Sequence, residues 1–205
     1  MSEIQPKEEP RYVGQTIPVH VELTSTQAIL AQPEMRDLLG AAEIIAVGEC
    51  GCRRDARACD HPLDVCLAVD SEACDEIEKH GWREITLEEA LAVLERSHRA
   101  GLVHVAYRKN DEPVTLICSC CTCACNPLRR LKGRDYRDEI AESAYVARFD
   151  AASCAACGAC VSRCPFGAFS WGDNAASIVF RASSCFGCGL CVSTCPSGAI
   201  SFVRR

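Results

Sequence analysis

The 205 residues are enough for one domain or two modest ones, and 18 cysteines are far more than an ordinary globular chain carries. Cysteine at this density means either a disulfide framework or a set of metal ligands, and the redox compartment decides between them. The opening stretch MSEIQPKEEPRY has no apolar h-region and no small-residue cleavage site, so the expectation is a cytoplasmic protein with reduced thiols that bind metal.

The net charge of −6 is unevenly placed. From Asp150 onward, Asp150 and Asp173 stand against Arg163, Arg181, Arg204 and Arg205, which leaves +2, so residues 1–149 carry −8. An acidic first part argues against nucleic acid as a partner and fits docking on a basic protein surface. No membrane span is expected. The longest uncharged stretch, Ala182 to Val203, is interrupted by four cysteines, Pro196 and three glycines.

In chain order, YVGQTIPVHVEL predicts a short strand near Val19 to Leu23, and Pro33 fits the first turn of a helix running to about Leu39. EIIAVG reads as a buried strand. It leads into a stretch holding Cys50, Cys52, Cys59 and Cys66. Cys74 falls on a predicted helix and is read as a buried small apolar residue rather than a ligand. Thr86 and Glu89 form a capping box that opens a helix with Leu87, Leu91 and Leu94 on one face and Gly101 after its end. LVHVAY and PVTLIC predict a hairpin. It delivers the chain into CSCCTCAC, with Cys118, Cys120, Cys121, Cys123 and Cys125. NPLRRLKGRDYRDEIAES reads as a charged, helix-like connector.

These upstream cysteines sit at the ends of two predicted strands, which can bring them together. Nine thiols suffice for one or two further iron–sulfur clusters; zinc, a thiolate-metal cluster or partly free redox-active thiols are the alternatives. Adjacent Cys120 and Cys121 point to opposite sides of an extended chain. His61 and His104 lie near the cysteine groups; the favoured reading is that each orders a loop or packs in the core, and the alternative is a cluster ligand, since His replaces Cys in some clusters. The C-x-C-R at Cys50 to Arg53, CDHPLDVCL, EEAL with AGLVH, and the packed run near 118–125 are similar to an uncharacterised iron–sulfur family of anaerobes. That resemblance implies oxygen-poor metabolism and no particular activity.

The last third writes one pattern twice. Cys154, Cys157, Cys160 and Cys164 have the spacing C-x2-C-x2-C-x3-C before Pro165, and Cys185, Cys188, Cys191 and Cys195 repeat it before Pro196. Two-residue gaps let three thiolates wrap one cube, and glycines allow a tight backbone. Proline keeps the fourth ligand out of a helix. Zinc sites rarely use four thiols at this spacing. The repeat resembles bacterial two-[4Fe–4S] ferredoxins over about residues 144–205. The resemblance implies one cluster on Cys154, Cys157, Cys160 and Cys195, and another on Cys185, Cys188, Cys191 and Cys164. The crossover explains the duplication, because neither half completes its own cluster.

The expected fold is α+β. A Cys-rich α/β or α+β metal-binding domain (1–125) and a connector (126–143) precede a pseudo-twofold ferredoxin-like domain (144–205) of two cluster loops, short strands and helices. The expected function is electron transfer through [4Fe–4S] clusters, as a carrier or as a subunit of an anaerobic redox complex docking a flavoprotein or metalloenzyme. A redox enzyme with an unusual N-terminal cluster and a ferredoxin with a zinc-bound docking domain are the alternatives. An iron–sulfur DNA sensor, with the Leu87 helix and the hairpin as a winged helix, ranks last because the region is acidic.

Overall fold

The computed structural model describes residues 12–16, 37–109, 113–131, 140–173 and 176–205. The strand expected near Val19–Leu23, the start of the helix expected from Pro33 and the tip of the hairpin lie outside these residues. A helical segment, α1, covers residues 37–41.

The N-terminal part is built on a seven-stranded sheet of β1 (Tyr12–Thr16), β2 (Ile45–Glu49), β3 (Asp64–Val69), β4 (Arg83–Glu84), β5 (Val103–Lys109), β6 (Val114–Cys120) and β7 (Ile140–Ala141). Its order is β4-β2-β3-β6-β5-β1-β7. Every neighbouring pair is antiparallel except β1 with β7. The expected hairpin is β5 and β6, but it lies inside this sheet, between β1 and β3, and is no wing.

Alternation along the strands sorts two layers. Ile45, Val47, Leu67 and Ile117 face one side, where they meet Ala90 and Leu94 of α4 (Leu87–Arg99). Ala46 and Ala68 face the other, where their small side chains let α3 (Asp70–His80) approach through Ala73 and Ile77. The α4 capping box is formed, with the Thr86 hydroxyl accepting from the Glu89 N–H and the Glu89 carboxylate accepting from the Thr86 N–H. The segment DVCLAV, to which the sequence reading gave no element, is a central strand, with Val65 to Val69 all buried between neighbours on both edges. Cys74 is on a helix, α3, but on its solvent side and exposed, since the face turned to the sheet is held by Ala73 and Ile77.

In the C-terminal part, β8 (Tyr145–Phe149) pairs with β11 (Ile200–Arg204), and β9 (Phe169–Trp171) with β10 (Ile178–Phe180). The outer strands of the repeat thus pair with each other, as do the inner ones. The first half carries the short helix α6 (Ala159–Arg163), whereas residues 190–194 of the second half form turns.

The two parts share a core. Val103, Val105, Cys120 and Cys125 pack with Phe186, Cys188 and Leu190 of the second motif. Leu128 and Leu131 of α5 (Asn126–Leu131) enter the same layer, so the segment expected as a connector contributes apolar side chains to it. At the rim, the Arg163 guanidinium donates to the carbonyls of His98 and Arg99 at the end of α4, and His98 Nε2 meets Ser193 Oγ at 2.8 Å. Phe186 is 2% exposed, so Phe186→Ala is expected to cost about 3–5 kcal/mol. This would appear as a lower guanidinium midpoint for loss of far-UV circular dichroism; an unchanged midpoint would mean that the shared layer does not hold the parts together.

Candidate metal centres

The backbone of the two repeat loops matches position by position. Ala156 and Gly187 have φ 49° and 74°, Gly158 and Gly189 have 72° and 85°, and Gly167 and Gly198 have 66° and 67°. Each loop therefore turns through the left-handed region at the same three places, five of the six being glycine. At Gly187 space is also decisive: a Cβ would stand 2.1 Å from the Tyr145 carbonyl oxygen. These turns aim backbone N–H groups at sulfur. The Ala156 N–H donates to Cys154 Sγ at 3.3 Å, and the Ala168 N–H to Cys164 Sγ at 3.3 Å. Such donors favour a thiolate, and they tune a cluster bound by it.

Thiols of the two motifs are neighbours across the repeat. Cys160 feels Cys154 and Cys195. Cys185, Cys188 and Cys191 each feel Cys164, from the first motif. A pocket is lined by Cys164, Cys185, Cys188 and Cys191 together with Phe166 and Phe169. Burial pushes the Cys188 thiol up to about 12 and raises Cys185 and Cys191. This is a dry site whose thiols ionise together only around a cation. Cys157 is exposed, and the Trp171 ring beside it covers Gly158. Cys154, Cys157 and Cys164 of the first motif therefore lie nearer solvent than Cys160, Cys188 and Cys191, and Cys188 is packed against the N-terminal part.

The upstream thiols separate into two groups. One is a string across the ends of β2, β3 and β6. Cys50 neighbours Cys66, Cys66 neighbours Cys118, Cys118 neighbours Cys120, and Cys120 neighbours Cys125. Cys50 caps α2 (Gly51–Ala56), Cys66 lies on β3, and Cys118 and Cys120 are two apart on one face of β6. Cys52 is exposed and stands beside the string near Cys50 and Cys125. Cys120 and Cys66 hold the Cys118 thiol well below its ordinary value, while Cys118 pushes Cys120 and Cys66 up and Cys66 pushes Cys50 up. Neighbouring thiols do not all ionise without a cation among them.

The other group is Cys59, Cys121 and Cys123. Cys120 and Cys121 thus go to different groups, as side chains of adjacent residues in an extended chain must. His61 is half-buried beside Arg53, and burial followed by that charge lowers its imidazole. His104 is in the core, with Nδ1 3.1 Å from Ser119 Oγ and its ring stacked on His98.

Arg53 is the residue that sequence reasoning gave no role. It is 1% exposed, on α2, and its guanidinium donates to Pro62 O at 2.5 Å and Ser119 O at 2.8 Å. It thereby ties the Cys59 loop to the Cys121 turn. The available signal was an arginine inside a cysteine motif, since a buried guanidinium requires anionic company.

Residues 153–200 match the family model of a 4Fe-4S dicluster domain. The C-terminal region is therefore a ferredoxin-like iron–sulfur region, and its thiol sets, N–H donors and glycine cradle fit [4Fe–4S] clusters. None of the curated proteins matches the chain. Among the described residues no helix is long and apolar enough to cross a membrane.

The matched loops give a paired prediction. Gly187→Ala is expected to abolish cluster retention, since it combines about 1–3 kcal/mol of backbone strain with a backbone clash. Ala156→Gly, at the corresponding place, is expected to leave the visible iron–sulfur absorption intact and to raise the thermal midpoint slightly. Equal effects of the two changes on the absorption would contradict the loop geometry.

Proposed function

We propose that this is a [4Fe–4S] electron-transfer protein with three iron–sulfur centres, in which the N-terminal thiol string and the second motif of the dicluster region meet in one dry layer. The dicluster region holds one cluster through Cys154, Cys157, Cys160 and Cys195 and a second through Cys185, Cys188, Cys191 and Cys164. The string of Cys50, Cys66, Cys118, Cys120 and Cys125 holds a further iron–sulfur centre. A cluster bound only by cysteine supplies reversible one-electron storage. The observation that carries the reading is the shared core. Cys120 and Cys125 of the N-terminal string pack in the same layer as Cys188 of the second motif, together with Phe186 and Leu190.

The residues then divide the labour. Phe186, Leu190, Val103 and Leu128 exclude water between the two thiol sets. Backbone N–H groups on Cys154 and Cys164 stabilise negative charge at sulfur. The exposed edge at Cys157 and Trp171 is the place where a redox partner comes within reach. That partner is a flavoprotein or metalloenzyme with a basic face complementary to the acidic first part of the chain. The protein works in the cytoplasm of an oxygen-poor metabolism, as a dedicated subunit rather than a free shuttle, because a shuttle has no use for a further centre.

The crossed assignment is tested by EPR of reduced variants. Cys195→Ala is expected to give the same altered spectrum as Cys154→Ala, and Cys164→Ala the same as Cys185→Ala. If Cys195→Ala instead matches Cys185→Ala, each motif keeps its own fourth ligand and the assignment is wrong.

A further inference from the structure

The tightest grouping of ligand atoms among the described residues lies outside the repeat. The sulfurs of Cys59, Cys121 and Cys123 are all within 4.8 Å of one another, and Cys59 and Cys121 are 3.7 Å apart. Thiolates around one tetrahedral zinc, each at about 2.3 Å, stand about 3.8 Å from one another. A cube sets each thiolate on a different iron, so its sulfurs stand further apart. None of the eight repeat cysteines falls in so tight a group. The spacing is that of a single ion.

Arg53 supplies an independent observation. Its guanidinium donates to two neutral carbonyls, and the buried Nε has no partner. No carboxylate among the described residues forms an ion pair with it. The guanidinium adjoins Cys121 and lies near Cys59. A buried cation without a buried anion is costly. Three thiolates, one divalent ion and one guanidinium sum to zero charge. Three neutral thiols would leave the guanidinium uncompensated, and three bare thiolates would overshoot it. All the cysteines of the chain lie in described residues, and no other joins this group.

We infer that Cys59, Cys121 and Cys123 hold one divalent thiophilic ion of the zinc class, with Arg53 as its buried counter-charge and a non-cysteine ligand in the fourth position. The run CSCCTCAC is then divided between two centres, Cys118, Cys120 and Cys125 serving one and Cys121 and Cys123 the other. The ion pins the Cys59 loop to the turn after β6, which also presents the neighbouring string. This site stands apart from the electron-transfer reading, because zinc has no redox chemistry.

The test is metal analysis and zinc K-edge X-ray absorption of anaerobically purified full-length protein. The expected result is about one zinc per chain with three sulfurs near 2.3 Å and one nitrogen or oxygen neighbour. Cys59→Ser is expected to lose that zinc and to keep the wild-type iron content. Arg53→Gln is expected to weaken zinc about 10–100-fold in chelator competition, the usual effect of removing a group beside a ligand. A wild-type chain without zinc, four sulfur neighbours, or a Cys59→Ser chain that keeps zinc and loses iron would overturn the single-ion site. An Arg53→Gln chain with unchanged affinity would overturn the counter-charge. Should Cys59→Ser fail to fold, the wild-type spectrum decides.

Discussion

Buried sulfur is the constraint from which the rest of the molecule follows. A thiolate in a dry place is unstable unless positive charge stands beside it, and a crowd of thiols can ionise together only around metal. This chain gathers thiols at the ends of β2, β3 and β6 and in two glycine-turned loops, and buries most of them. The surrounding structure answers the charge in different ways. Backbone N–H groups reach sulfur in the loops, and a buried guanidinium reaches it at Cys121. Metal binding and folding are therefore coupled here, as in other chains whose ligand sets are costly without their ions.

The second organising feature is the apolar layer that both parts share. Phe186 and Leu190 leave the repeat and enter the N-terminal core, while Leu128 and Leu131 approach from α5. Arg163 and Ser193 close the rim against the end of α4. The consequence is asymmetry between two otherwise matched loops. The second motif faces protein and the first faces solvent at Cys157. A repeat that is nearly identical in sequence thus acquires an inner and an outer end, which is what directional electron passage between a partner and a further centre requires.

What the sequence made legible was local. Cysteine spacing declared the repeat because ligand geometry depends on a few neighbouring residues. Thr86 and Glu89 declared α4 because a capping box lies within one turn, and short apolar runs declared β2, β5 and β6. What stayed hidden depends on residues far apart in the chain. The strand Asp64–Val69 was masked by its cysteine and the preceding His-Pro, though it is central in the sheet. The division of CSCCTCAC needed Cys59 and Cys66 to be placed by other elements. Cys74 was misread because cysteine is usually buried, while the helix face here was settled by Ala73. Arg53 and Phe186 were invisible for the same reason: each has partners brought to it from far along the chain, Ser119 for Arg53 and Val103, Cys120 and Leu128 for Phe186.

The central claim is that the N-terminal string is an electron-accepting centre joined to the dicluster region. It is tested most directly by reductive titration of the anaerobic full-length protein, counted in electrons per chain with EPR at each step. A [4Fe–4S] cluster takes one electron, so the account predicts at least three electrons, with magnetic interaction between the third centre and the dicluster pair. Uptake of two electrons or fewer, with the string's cysteines intact, would contradict it.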